Sequence, residues 1–252
     1  PNNSFLWIQF MAFHLSMGEI DKARQIGERA LKTINFRDEK EKLNVYVAWM
    51  NLENLYGSQD SLMKVFNQAL TSSEPKEVYF RLLEIYNSSK NTEQEETLLK
   101  TMLRKFKDSS KVWEHYAMFL INNKSLDDFR NMIPQCINSL PKRKHIAMIS
   151  KFAQMEFKHG SADRGRTIFE GIVANYPKRI DIWNIYLDME IKAGDLPTIR
   201  RLFDRVTALS VSTKKMKFFF KKYLNFEKQY GDDESVDKVK QKAREYVEAK
   251  SA

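Results

Sequence analysis

The sequence is short of everything that cross-links or punctuates a chain. It holds one cysteine, Cys136, so no disulfide can form within it, and only 8 glycines and 6 prolines in 252 residues. That scarcity, with 30% charged residues, fits an all-α protein. No apolar run approaches the ~18 residues of a membrane-spanning helix, and no secretory leader is read. His14, His115, His145 and His159 are scattered without His-x-x-x-His spacing, and there is no Cys-x-x-Cys pair or glycine-rich phosphate loop. No metal site, no cofactor and no catalytic constellation is therefore expected, and the chain reads as a non-enzyme. Cys136 reads as a small core residue, and a lone thiol suits the reducing interior of a cell.

What is abundant is aromatic and charged residues at helical spacing. Asp181–Val206 reads as two amphipathic helices broken at Gly194-Asp195. Trp183, Tyr186, Leu187 and Glu190 share a face of the first, and Arg200, Leu202, Phe203 and Val206 follow in the second. Asp195 and Pro197 suit the start of that second helix. With Trp183 as position 0, the same grid fits six more stretches, with zeros at Trp7, Tyr46, Tyr79, Trp113, Ile149 and Phe220. Position 3 is Phe10, Trp49, Leu82, Tyr116, Phe152, Tyr186 or Tyr223. Position 6 is Phe13, Leu52, Ile85, Phe119, Met155, Met189 or Phe226. Position 7 is glutamate in four copies and position 11 is glycine in five.

Neither helix of such a pair can bury its apolar face alone. A register kept at spacings of 33 to 39 residues predicts a helical solenoid. The expectation is an all-α, right-handed α-solenoid superhelix of about seven repeats and about fourteen helices. It would form a single domain over 1–252, with repeats near 4–34, 43–71, 75–107, 109–140, 142–176, 178–210 and 212–250. A chain that opens on Pro1 is expected to be a fragment of a larger protein. Asn35–Lys42 reads as a charged linker, and Pro134 is expected to kink the second helix of repeat four. Asp127-Asp128 and Asp232-Asp233-Glu234 read as helix-start acids rather than as a catalytic pair.

The motif is more specific than a helix pair. Trp at 0, an aromatic at 3, Glu at 7, Arg at 17 and Phe-Asp/Glu at 20 and 21 resembles the HAT (half-a-TPR) repeat. Trp183, Tyr186, Glu190, Arg200, Phe203 and Asp204 carry it in repeat six, and Phe152, Glu156, Arg166, Phe169 and Glu170 in repeat five. Trp7, Trp49 and Trp113 belong to the same structural set, whereas Met63 and Glu96 replace the arginine in repeats two and three. The ten-residue spacing leads to an expected pairing of Glu156 with Arg166 and of Glu190 with Arg200, tying the two helices of one repeat.

The stretches SFLWIQFMAFHL, EKLNVYVAWMNLEN, YPKRIDIW and KKMKFFFKKYLNFEK further resemble the C-terminal HAT region of the ribosomal RNA processing protein five family (programmed cell death protein eleven in animals). That resemblance implies a nucleolar, non-catalytic scaffold of the small-subunit processome. Its implied partners are pre-ribosome assembly proteins, snoRNP components and pre-rRNA, with no membrane and no small-molecule substrate. The family's upstream array of S1-type RNA-binding domains is absent here, and no catalytic residue is carried over. Two other functions share the fold. One is a HAT scaffold of mRNA 3′-end processing or splicing. The other is a co-chaperone that clamps a peptide carboxylate, which would need Lys, Asn and Arg where the grid shows mostly aromatics.

The net charge of +9 is unevenly spread: −2 over residues 1–100 and +11 over 101–252. A basic half favours an anionic partner such as RNA. The candidate contacts are Lys142, Arg143 and Lys144 in the loop opening repeat five, and Lys178 and Arg179 in the loop opening repeat six. In repeat seven, Lys214, Lys215, Lys217, Lys221 and Lys222 flank Phe218-Phe219-Phe220. Phe220 is on the core grid, which leaves at most Phe218 or Phe219 to stack on a base.

Overall fold

A computed structural model describes residues 2–251, and these form fourteen α-helices and no strand. The helices come in pairs: α1 (Ser4–Ser16) with α2 (Ile20–Thr33), α3 (Glu39–Tyr56) with α4 (Gln59–Ser72), and α5 (Pro75–Ser88) with α6 (Thr92–Lys105). They continue with α7 (Ser110–Asn123) and α8 (Leu126–Ser139), α9 (Lys142–His159) and α10 (Ala162–Asn175), and α11 (Ile180–Ala193) and α12 (Leu196–Thr207). The last pair is α13 (Thr213–Tyr230) and α14 (Asp233–Ser251).

Local chemistry accounts for the ends. Ser58 and Ser61 form a reciprocal capping box at the start of α4, and Pro75 and Pro197 occupy first turns, where a missing N–H costs nothing. The expected linker 35–42 is shorter than predicted. Glu39–Lys42 is already helical, and Glu39 and Glu41 in the first turn of α3 complement the helix dipole. Pro134 lies inside α8, which runs from Leu126 to Ser139 without interruption.

The chain divides into two compact units, Pro1–Ser125 and Leu126–Ala252, with the boundary between the two helices of repeat four. Within each unit the main packed pairs are sequence neighbours or next neighbours, such as α1 with α2 and α3, or α9 with α10 and α11. That connectivity is the signature of a helical-repeat solenoid.

The grid is the core. Position 6 is buried in repeats two to seven, from Leu52 to Phe226, and so is position −1, from Val45 to Phe219. Position 3 meets position 20 of the repeat before. Phe169 stacks on Tyr186 at 4.9 Å and 12°, and Phe203 on Tyr223 at 4.4 Å and 3°. Such pairs add about 0.5–1.5 kcal/mol to the burial itself. Trp113 and Trp183 each donate their indole N–H to a backbone carbonyl six residues earlier, of Lys107 and Pro177, at 2.9 Å. Each tryptophan thereby ties down the turn that leads into its own helix. Trp49 donates instead to Glu53. Cys136 is fully buried and burial pushes its thiol up to about 12.

Repeat one departs from the expectation. Phe10 and Phe13, assigned to the core by the grid, are 42% and 57% exposed. In every later repeat the second helix of the repeat before packs on the first helix, whereas on α1 the rings of Phe10 and Phe13 lie beside His14 at 5.0 and 5.5 Å.

Candidate nucleic-acid interface

Arginine–glutamate pairs tie the second helix of one repeat to the first helix of the next. Arg24 reaches Glu53 through Nε at 2.8 Å and Nη2 at 2.9 Å, and Arg130 reaches Glu156 at 2.7 and 3.0 Å. Arg166 reaches Glu190 at 2.7 and 2.9 Å, and Arg200 reaches Glu227 at 2.9 and 3.0 Å. All four are bidentate forks, the geometry that best matches guanidinium to carboxylate. This corrects the pairing expected from spacing. Glu156 does not pair with Arg166, nor Glu190 with Arg200; each arginine at position 17 pairs with the glutamate at position 7 of the next repeat.

The reason is facial. Positions 17 and 20 are one turn apart on the second helix, so Arg166 points the same way as Phe169, across the junction. Positions 3 and 7 share a face of the next first helix, so Glu190 lies beside Tyr186. The glutamates are 3%, 2%, 0% and 1% exposed in chain order, so these forks sit at the dry side of each junction. Burial pushes the Glu53 carboxyl up, but hydrogen bonds from Arg24, Ser61 and Trp49 outweigh it and hold it below the usual range. The fork from Arg130 lowers Glu156 likewise, against its burial.

Glycine at position 11 serves the same device. A Cβ on Gly57, Gly160 or Gly231 would collide with a carboxylate oxygen of Glu53, Glu156 or Glu227. Gly194 differs: its φ of +86° is the left-handed region, and nothing would crowd a Cβ there.

On this frame the predicted basic residues differ in exposure and in what holds them. Lys142, Arg143 and Lys144 are not in a loop: they form the first turn of α9, where no acidic residue accompanies them. Lys142 and Arg143 are exposed and Lys144 is half-buried. Lys178 is exposed in the turn before α11. Arg179, the residue capping α11, is held by Asp181 at 2.8 and 2.7 Å. Lys214, Lys215 and Lys217 project from the start of α13, again with no acid in the first turn, and Lys221 is exposed further along. Lys222 is engaged. Its Nζ lies 2.6 Å from Asp188 Oδ1 and also bonds Asn184, tying α13 to α11.

The aromatic question is settled by burial. Phe219 is 1% exposed, whereas Phe218 is 52% exposed, with Lys222 Nζ 5.9 Å from its ring centre. Phe218 stands at position −2, where repeats two to six carry Asn44, Glu77, Lys111, Ala147 and Asp181, all exposed. The core does not require an aromatic there. Lys214, Lys215, Lys221 and Lys222 lie three and four residues either side of it, on the same helical face.

The starts of α9, α11 and α13 are equivalent points of successive repeats, so their cations share one edge of the Leu126–Ala252 unit. Among the described residues no group of His, Cys, Asp and Glu side chains is arranged to hold a metal, and no helix is long and apolar enough to cross a membrane. Sequence reasoning missed Arg130 as a partner of Glu156, and the offset of the pairs by one repeat.

Comparison with known proteins agrees with the helical-repeat fold. The sequence profile of the Suppressor of forked protein (Suf) matches residues 61–252, and that of the pre-mRNA-splicing factor Syf1/CRNKL1 C-terminal HAT repeat matches residues 1–119. Protein RRP5 homolog of Mus musculus is 48% identical over 252 residues, which is 100% of this chain and 14% of that protein. The rRNA biogenesis protein rrp5 of Schizosaccharomyces pombe is 47% identical over 247 residues, 98% of this chain and 15% of that protein. Crooked neck-like protein 1 of Mus musculus is 23% identical over 231 residues, 90% of this chain and 29% of that protein. The chain thus spans about a seventh of the RRP5 relatives it matches. It belongs to the Suppressor of forked family of helical-repeat proteins, in the branch formed by the RRP5 homologues.

Proposed function

We propose that this segment is a non-catalytic scaffold of ribosome biogenesis whose basic edge contacts pre-rRNA. It works in the nucleolus, where its helical faces dock assembly factors and snoRNP components of the small-subunit processome while pre-rRNA is cleaved by others. The two compact units act together as one repeat domain. The fission yeast relative is an rRNA biogenesis protein by name, which supports the setting, and its 47% identity outweighs the 23% shared with the Crooked neck-like protein.

The observation that carries the RNA contact is electrostatic. Lys142, Arg143 and Lys144, and Lys214, Lys215 and Lys217, crowd the starts of α9 and α13, whose first turns carry no acidic residue. Each cation in that place costs about 0.3–1 kcal/mol against the helix dipole, a cost that a bound phosphate offsets. Phe218, exposed among lysines, offers a face on which one base can stack. The test is RNA affinity against salt for the parent and for a charge-reversed variant at Lys142, Arg143 and Lys178, sparing the half-buried Lys144 and the engaged Arg179 and Lys222. Affinity of the parent is expected to fall with a log–log slope of about 0.7 per phosphate contact, and the variant is expected to lose affinity and slope together. Equal affinities and equal slopes would assign the edge to a protein partner.

A further inference from the structure

One face of α13 looks back at the repeat before it, and contacts in two places along the chain show which. In repeats three and four, Lys111 at position −2 lies 4.2 Å over the ring of Phe80 at position 1, and the His115 ring at position 2 lies 5.1 Å from it. In repeats six and seven, Lys222 at position 2 reaches Asn184 at position 1 and Asp188 at position 5, with its Nζ 2.6 Å from Asp188 Oδ1. Positions −2 and 2 of a first helix therefore face the first helix of the preceding repeat, which the chain itself supplies. Phe218 stands at position −2, one helical turn from Lys222, so it lies on the α11 side of α13.

The two places arrange a ring and its cations in opposite ways. Phe80 belongs to the earlier helix, lies under Lys111 and is 7% exposed. Phe218 belongs to the later helix and is 52% exposed. Its ring is held all the same. The buried Phe219 meets it edge-on at 5.3 Å and 79°, and Lys222 Nζ stands 5.9 Å from its centre. Asp188 and Asn184 anchor that lysine in turn. Lys214, Phe218 and Lys222 form one stripe at i, i+4 and i+8, and Lys215 flanks it. Phe5 of repeat one is the only other aromatic residue at position −2, and no Lys or Arg lies three or four residues from it. The lysine-flanked ring is particular to repeat seven.

Resting on the reading of the basic edge as an RNA contact, we propose that Phe218 takes an unpaired base, so that this edge selects single-stranded over duplex RNA. The chemistry fits that occupant. A ring fixed at its edge and open on a face accepts a flat π-system, and the lysines beside it accept the phosphates that flank a nucleobase. A cationic side chain, the other common partner of an exposed ring, is repelled by Lys214 and Lys215. The bases of a duplex are already stacked on one another, and an A-form helix is met mostly through its phosphates and 2′-hydroxyls. Stacking on one ring tolerates any sequence, because every base has a π-face.

The test uses three fluorescent strands with the same number of phosphates: an oligoadenylate, the same strand with abasic sugars throughout, and a hairpin paired along its length. Affinity for the 252-residue chain is read by anisotropy, with circular dichroism confirming that each variant is folded. The parent is expected to bind the oligoadenylate about tenfold more tightly than either of the others. Phe218→Leu is expected to remove that preference and to leave the affinity for the abasic strand unchanged, whereas Phe218→Trp keeps the preference. The indole introduced at 218 is also expected to be quenched by the oligoadenylate and not by the abasic strand. Equal binding of the three strands, indifferent to Phe218→Leu, would overturn the proposal and leave the charged contact with RNA standing. Binding to none of them would overturn both, and would assign the face to an acidic protein segment.

Discussion

The two compact units build the same junction in different ways. The Pro1–Ser125 unit holds 17 Lys and Arg against 16 Asp and Glu, net +1, and the Leu126–Ala252 unit 25 against 17, net +8. In the second unit three successive junctions carry a buried fork, Arg130–Glu156, Arg166–Glu190 and Arg200–Glu227. Among the described residues of the first, only Arg24–Glu53 does. After it, position 17 is Met63 and then Glu96, and position 7 is Tyr86 and then Leu120. Glu96 turns outward to Lys100 and Lys124. Arginine and glutamate are thus kept or replaced together, junction by junction. The fork is a replaceable part, since a buried ion pair and an apolar contact of similar volume are often close in net stability.

The largest effect comes from breaking one fork. Arg166→Ala strands Glu190, which is completely buried, and is expected to cost about 3 kcal/mol in urea unfolding. Replacing both partners, Arg166→Met with Glu190→Leu, puts uncharged residues in both places, as Met63 and Tyr86 are in the first unit, and is expected to recover most of that loss. A double variant as unstable as the single would show that the two junction types are not interchangeable.

The offset of these pairs was legible before any coordinates. Arginine stands at position 17 in repeats one, four, five and six, and glutamate at position 7 in repeats two, five, six and seven. The two sets coincide only when shifted by one repeat. Pairing within a repeat leaves Arg24 facing His14, and Glu53 facing Met63, without explanation. The helix pairs and their core positions were legible for the same reason: each position is sampled seven times. What one sequence does not encode locally is the neighbour. Phe10 and Phe13 match the core grid, yet their burial depends on a helix that must arrive from outside the repeat. Arg179 and Lys222 look like the other cations in the sequence, and only the fold shows their reach to Asp181 and Asp188.

The glycines at position 11 give a smaller and sharper comparison. Gly160→Ala places a methyl group against the Glu156 carboxylate, which Arg130 and the Ser161 amide hold in place. The expected cost is about 2 kcal/mol, through overpacking and a distorted fork. Gly194→Ala meets no side chain and suffers only from its left-handed φ, a cost of about 1 kcal/mol. Gly194→Asn is expected to recover part of that, because asparagine tolerates the left-handed region, whereas Gly160→Asn is not. Thermal melts of the four variants separate crowding from backbone strain. The same rank for both sites would mean that the fork does not depend on the gap beside it.

The smallest effect lies in the first unit and has a sign in pH. Position 16 is buried as Ala23 and Leu62 in that unit, and as Phe129, Gly165 and Ile199 in the second. In repeat three it is Glu95, 6% exposed, whose only described side-chain bond is from Asn87 Nδ2 at 3.2 Å. Burial pushes the Glu95 carboxyl above its ordinary value, and the Asn87 bond opposes this only in part. The folded protein therefore holds this proton more tightly than the unfolded chain does. The stability it brings is complete below the unfolded value near 4.3 and is lost as pH rises through the raised folded value. Glu156 and Glu170, lowered by Arg130 and Arg205, act in the opposite direction, losing stability as pH falls. The comparison to make is parent minus Glu95→Gln, which cancels those opposing groups. The difference in unfolding free energy is expected to decline between about pH 4 and neutrality, by ~1.4 kcal/mol for each unit by which the pKa is raised. Glu95→Leu, which restores the apolar residue found at Leu62 and Ile199, is expected to stabilise the protein by about 1 kcal/mol at pH 7. A parent-minus-variant difference that stays flat across that range would show that Glu95 titrates as it does in the unfolded chain, and that the slot is wetter than its burial implies.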